Sequence, residues 1–405
     1  MKTPRLDLVS GAPYWPLASG LLGVYPPLAA NLECEVAVVG AGITGALVAD
    51  ALAEAGIDCI VVDRRDVARG STAASTALVS WELDAELGAL TQLIGERDAV
   101  RAYRASLGAV GTLERLIRKL PDDCGFTRRP SLYLASSRRD VRRLQREAEL
   151  RARHGFPSEY WDKKRMTASL SFRAPGAIRS SGSAELDPYR LTHALLARAA
   201  GRGARVFDRT EVIREDFARG AVTLKTGRGF FIRARRVVMA LGYEIPRPLR
   251  RDLVRLSSTY ALVSEPVAEW TGWEDRCLIW ESARPYHYLR TTGDGRALIG
   301  GEDEPFRDPG RRDRMLPRKI ERLSRRLAAM LPDLQAEPAF GWTGTFGSTA
   351  DGLPYIGESA EAPGRIFALG YGGNGITFGA IAAGVVLGLC LGKPPEDTRL
   401  YRLDR

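Results

Sequence analysis

Residues 34–63, CEVAVVGAGITGALVADALAEAGIDCIVVD, constrain what this chain can fold into more than any other stretch. Residues 35–39 are a short apolar run rich in valine, the pattern of a strand buried on both faces. Gly40, Gly42 and Gly45 then give G-x-G-x-x-G at a turn, residues 43–55 are good helix formers, and Gly56 stops them. A second strand, 59–62, ends on Asp63. In such a βαβ unit the first glycine makes the tight turn, the second admits a diphosphate to the backbone, and the third lets helix and strand pack closely. The anion then sits on the helix start, here Gly42, Ile43 and Thr44, where N–H groups lack partners. Asp63 can accept from a ribose diol and would repel a 2′-phosphate. A bare G-x-G-x-x-G is weak. With strand, turn, helix, strand and terminal acid all in order, an adenine dinucleotide site outweighs a ligand-free turn.

Composition narrows the alternatives. At 405 residues the chain has room for two domains, and its charge of +10 comes from arginines scattered along helices such as 138–153. That pattern favours a solvated surface over a nucleic-acid track. Five cysteines without C-x-x-C, and three histidines with no metal spacing, argue against iron-sulfur and zinc sites and for a reducing, cytoplasmic setting. The first residues lack a basic region followed by an apolar core, so no signal peptide is expected. Residues 376–391 are apolar but short of the roughly 20 that span a bilayer, which favours a buried helix. Residues 1–33 carry Tyr14, Trp15, Tyr25 and several prolines without helical or strand period, and read as an arm laid over the surface by its aromatics.

The remainder adds a second ligand signal. Residues 64–76, RRDVARGSTAAST, offer Arg64, Gly70, Ser71, Thr72, Ala74, Ser75 and Thr76 as small or hydrogen-bonding groups for a diphosphate or a ring edge; the alternative is a flexible loop. Helices are expected over 87–120, then a strand at 131–135 and a charged helix over 138–154. Asp187-Pro188 is an N-cap with proline at N1. Strands follow at 205–207, 221–226, 230–233 and 236–241, the last carrying Ala240 into Gly242, while Val212 is placed to touch adenine. Longer alternating strands over 257–302 suit an antiparallel sheet. Near the end, Gly370 to Thr377, GYGGNGIT, is a second glycine-rich strand-to-helix turn. Its Gly372, Gly373, Asn374, Gly375, Ile376 and Thr377 suit the electron-rich carbonyl edge of a flavin.

Together, the fingerprint with Asp63, the RGSTAAS loop, ALGY at 240–243, DGLPYIG at 351–357 and GYGGNGIT resemble the FAD-dependent oxidoreductases of the D-amino-acid oxidase superfamily. Glycine oxidase, sarcosine oxidase and gamma-glutamylputrescine oxidase belong to it, and the aromatic N-terminal arm is most similar to the last. The resemblance implies an α/β fold in which a Rossmann-type FAD-binding domain (34–120, 176–254 and 346–405) is interleaved with an antiparallel-sheet substrate domain (121–175 and 255–345), after the arm 1–33. It implies FAD extended from Asp63 and Val212 to the second turn, with Gly344 nearby. It also implies that an amine carbon gives hydride to flavin N5, the imine hydrolyses, and electrons pass to oxygen or another acceptor. Oligomeric state stays open.

Departures from the family pattern bear on substrate. Phe346 stands where the glycine-oxidase branch has the arginine that holds a substrate carboxylate, which favours an amine over a free amino acid, unless Arg284 or Arg290 substitutes. No cysteine stands just before Asp351, where sarcosine oxidases attach flavin, so FAD should be non-covalent. Alternation puts Tyr286, Tyr288 and Arg290 on one strand face and His287 on the other, and Tyr288 and Tyr371 are the expected aromatic walls. Glu82 follows the loop closely enough to be a counter-ion for an amine tail; a solvated surface glutamate is the alternative.

Overall fold

The computed structural model describes residues 7–244 and 253–405. The valine-rich run becomes the strand Leu32–Val39, three residues longer at its start than expected, paired in parallel with Cys59–Val62 and Phe231–Met239. Arg205–Phe207 and Arg365–Leu369 extend this sheet on either side, and Tyr355–Glu358 closes it antiparallel. The strands expected at 230–233 and 236–241 are one continuous strand, Phe231–Met239. Its first half alternates exposed and buried because it pairs in a hairpin with Ala221–Thr226, while its second half is buried between layers.

Close approach explains the glycines. A Cβ on Gly45 would fall on the Gly40 carbonyl oxygen, and one on Gly40 (φ +114°) would fall on that of Ala240. Helix Ile43–Glu54 thereby seats tightly on its strand and packs against two further small-residue helices, Pro188–Gly201 and Gly375–Cys390. No helix among the described residues is long and apolar enough to cross a membrane.

A second, larger sheet faces the first. In spatial order it runs Val9–Gly11, Pro338–Ser348, Arg255–Pro266, Arg296–Pro305, Tyr288–Thr291, Leu278–Glu281, Thr127–Leu134, Gly176–Glu185 and Leu78–Val79. All neighbours are antiparallel except Leu278–Glu281 with Thr127–Leu134. Two expectations need correction. Gly176–Glu185 and Leu78–Val79, grouped from the sequence with the FAD-binding segments, are strands of this larger sheet. The arm is not merely laid on the surface either: Val9–Gly11 adds a strand to Pro338–Ser348, and Tyr14 and Trp15 start a short helix with both rings buried. Three residues are too few for an alternation to show.

One irregularity matters below. Tyr260 pairs with Gly301 but Ser258 with Glu304, so Arg296–Pro305 carries one extra residue there, a β-bulge, with Glu302 in the left-handed region at φ +59°. Helix Pro309–Met330 covers the outer face, with Leu323 and Leu327 packed on Leu289 and Ile299.

Substituting Gly45→Ala should force helix Ile43–Glu54 off its strand and destabilise the protein by on the order of 3 kcal/mol. A lowered urea midpoint at unchanged m-value checks this.

Candidate active site

The carboxyl ends of the parallel strands and the inner face of the larger sheet enclose a continuous cavity. At one end it is lined by Gly40, Gly42, Ile43, Thr44, Asp63, Arg64 and Val212, and at the other by Gly372, Gly373, Asn374, Gly375 and Ile376. Ala240, Gly242 and Gly344 lie between them on its wall. Both glycine turns, more than 300 positions apart, thus face one space.

The fingerprint end is built from local backbone demands. Asp63 accepts from the amides of Ala41 (2.7 Å) and Arg65 (2.8 Å), which fixes its carboxylate under the glycine turn. Burial nonetheless pushes this carboxyl up from the usual range, against the pull of those amides. Arg64 and Arg65 both reach Glu244, which is buried. Thr72 Oγ1 accepts from the Ile43 amide at 2.9 Å, so the 70–77 loop folds across the helix start.

That loop lines the cavity through Gly70, Ser71, Thr72, Ala74, Ser75 and Thr76. Its last four carbonyls are claimed by side chains that do not line the cavity: Ala74 O by Trp342 Nε1 (2.9 Å), Ser75 O by Trp15 Nε1 (2.6 Å), and Thr76 O and Ala77 O by Arg290 Nη1 (3.3 and 2.7 Å). Ser71 Oγ is buried with no partner among the described residues.

Several expected site residues do other work. Arg290 is buried behind the loop, where it also donates to Leu186 O at 2.9 Å and stacks on Trp15; it does not line the cavity. His287 faces away, with Nδ1 2.9 Å from Glu281. Gly45 is a packing glycine, and the Thr377 hydroxyl donates to Ser80 O behind the wall. Asn374 lines the cavity, but its side-chain amide braces Ser80 O and Glu82 O. Glu82 lines it too, yet it is neither solvated nor free: Arg151 holds it at 2.6 Å, and Ser131 and Ser180 donate to it.

The second end is acidic and aromatic. Trp280, Tyr286, Tyr288, Phe346 and Tyr371 line it, and Tyr288 lies over Gly300, where a Cβ would strike its ring. Asp84, which sequence reading missed, accepts from the Gly373 amide (2.9 Å) and the Tyr286 hydroxyl (3.1 Å). Asp303, also missed, reaches the cavity from the bulge. Neither carboxylate has an ion pair among the described residues, and no Arg or Lys among them lines this end. Arg284 is exposed and does not line the cavity; its guanidinium lies 4.8 Å over the Tyr286 ring and donates to the Asp84 backbone carbonyl at 3.4 Å.

The family model for FAD-dependent oxidoreductases, DAO, matches residues 35–388. The chain belongs to this family. It is 23% identical to the probable oxidoreductase OrdL of Haemophilus influenzae, over 93% of this chain and 86% of that protein. It is 27% identical to glycine oxidase of Geobacillus kaustophilus (84% and 89%) and 23% to gamma-glutamylputrescine oxidoreductase of Escherichia coli (94% and 88%). The crystal structure of the Geobacillus kaustophilus glycine oxidase superposes with a TM-score of 0.78 at 23% identity, covering 93% of this chain and 99% of that one. The cofactor is FAD, as throughout the DAO family. The cavity suits it: two helix starts face one space, and the buried Ser71 hydroxyl there lacks a partner among the described residues.

In this DAO-family chain, Arg290→Met should remove the Arg290 donor from four carbonyls, those of Thr76, Ala77, Leu186 and Thr291, and cost about 3–5 kcal/mol. Chemical denaturation reads the loss, and FAD should dissociate more readily as the 70–77 loop loosens.

Proposed function

We propose that this protein oxidises the C–N bond of a primary or secondary amine that carries no carboxylate beside the reacting carbon, the resulting imine then hydrolysing in water. The observation that carries this reading is the second end of the cavity. Two carboxylates without ion pairs among the described residues, Asp84 and Asp303, stand among five aromatic rings there, and no guanidinium or ammonium of those residues lines it. An α-amino acid would bring its own carboxylate into that negative field with no cation to meet it. A cationic amine is attracted by both the carboxylates and the ring faces.

The residues assigned to FAD divide along the cavity. Gly42, Ile43, Thr44, Ser71 and Thr72 would hold the diphosphate, Asp63 and Arg64 the ribose, and Val212 the adenine. Gly372 to Ile376 would take the carbonyl edge of the ring. When bound, FAD supplies the hydride acceptor, and oxygen or another acceptor takes the electrons onward. None of the five cysteines lines the cavity, which supports non-covalent attachment.

Glycine oxidase among the relatives raises a second reading, oxidation of free amino acids. The two part in one experiment. Under anaerobic conditions benzylamine and butylamine should bleach the flavin absorbance of the purified protein, and glycine and alanine should leave it unchanged; bleaching by the amino acids alone rejects the amine reading. Separately, Asp63→Ala should weaken FAD retention about tenfold, the loss of one or two charged hydrogen bonds, read by cofactor release on dilution.

A further inference from the structure

One of the register breaks in the larger sheet lies beside the cavity. Along Arg296–Pro305, Ala297 and Ile299 pack outward in the cluster under helix Pro309–Met330, while Leu298 and Gly300 face inward, Gly300 beneath the ring of Tyr288. Continued without interruption, this period would send Glu302 into the cavity and Asp303 outward. The bulge reverses them. Glu302, at φ +59°, turns outward to Lys319 (3.2 Å) and Arg322 (3.0 Å), and Asp303 enters the cavity instead. A non-glycine residue in the left-handed region is strained, and such strain gathers where a side chain must be aimed.

The other cavity carboxylates are committed. Asp84 uses one oxygen on Tyr286 and the other on Gly373, and Glu82 is held by Arg151, Ser131 and Ser180. Asp303 Oδ1 has no partner among the described residues. Its neighbours are the walls that suit a cation: Tyr286 and Tyr288 have centroids 5.7 Å apart, and Trp280 meets Tyr286 edge-on at 6.4 Å.

We infer that Asp303 seats the substrate's ammonium and takes its proton. This rests on the amine reading above. An ammonium has no lone pair, so its neighbouring carbon cannot release hydride. Transfer breaks one N–H bond and forms the O–H bond of a neutral Asp303 carboxyl, and the electron pair stays on nitrogen. The charged groups around Asp303 set its acidity: burial and then the charge of Asp84 raise it, while the Thr259 hydroxyl, with His287 and Lys319 on the outer side of the strand, lower it. The hydroxyls of Tyr286 and Tyr288 are themselves pushed up by burial and stay neutral. The balance brings Asp303 up to about 6, ionised at neutral pH yet near enough to accept a proton.

Tetramethylammonium, a cation with no proton to give, isolates the seat. Calorimetry on the FAD-loaded protein should show its binding strengthen about tenfold from pH 5 to pH 8, following ionisation of a group near 6. Asp303→Asn should bind it at least about tenfold more weakly and without that pH dependence; equal binding by the variant overturns the seat. For the proton, anaerobic flavin bleaching by benzylamine should slow about 100-fold in Asp303→Asn at pH 7 and recover towards the parent rate at pH 10, where free amine is neutral. Slowing by one factor at every pH overturns proton transfer. Asp303→Ser replaces Asn if that variant fails to fold. A parent protein that no amine bleaches rejects the amine reading and the proton step together, while the tetramethylammonium titration still decides the seat.

Discussion

Four consecutive carbonyls, Ala74 to Ala77, depend on three side chains from remote parts of the chain: Trp342, Trp15 and Arg290. A buried carbonyl must find a donor, and here each finds one on a side chain that does not line the cavity. Only with its carbonyls so fixed can the loop keep Ser71 and Thr72 turned towards the fingerprint helix. The donors come from two strands of the larger sheet and from the N-terminal arm, so this short stretch ties all three together. Arg290 contributes most, because one guanidinium spans Thr76, Ala77 and Leu186 and stacks on the ring of Trp15.

Charge is sorted along the cavity by burial and pairing. Arg64 and Arg65 sit at the fingerprint end with Glu244 between them. At the other end Arg151, fully buried, lies between Glu82 and Glu147. Glu147 in turn accepts from the amides of Leu87 and Gly88 at the start of helix Leu87–Ile94, so its charge meets a helix dipole as well. A buried triad of this kind contributes little net stability but holds its members in one geometry. With Glu82 held in this way, Asp84 and Asp303 are the carboxylates at this end without an ion pair among the described residues.

What the sequence made legible was local. The glycines, Asp63, the 70–77 loop and the second turn are each set by backbone rules that act within a few residues, and each lines the cavity apart from Gly45 and Thr377, which serve its packing. What it hid was long-range. Arg290 looks like a substrate anchor because nothing near it in sequence reveals three carbonyls more than 100 residues away. Glu82 looks exposed because its partner is 69 residues on. Tyr14 and Trp15 lack a periodic pattern, since their places are set by Asp294 and Ser75 rather than by neighbours.

Asp303 was hidden for a different reason. Period-two reading assigns faces correctly only while a strand stays regular, and a single extra residue inverts every assignment after it. In the sequence GGEDEP the pair Gly300-Gly301 marks a break, with Gly301 at φ +136°, but it does not say which residue is extra: the left-handed position next to it is Glu302, not a glycine. Glutamate accepts that conformation here because its side chain gains Lys319 and Arg322 on the covering helix. The regular register would lose those ion pairs, push Asp303 towards an apolar layer of Leu289, Ile299 and Leu323, and leave the aromatic end of the cavity with a different acid. The helix on the outer face and the carboxylate on the inner face are therefore two ends of one constraint: the ion pairs outside hold the backbone turn that aims Asp303 inside.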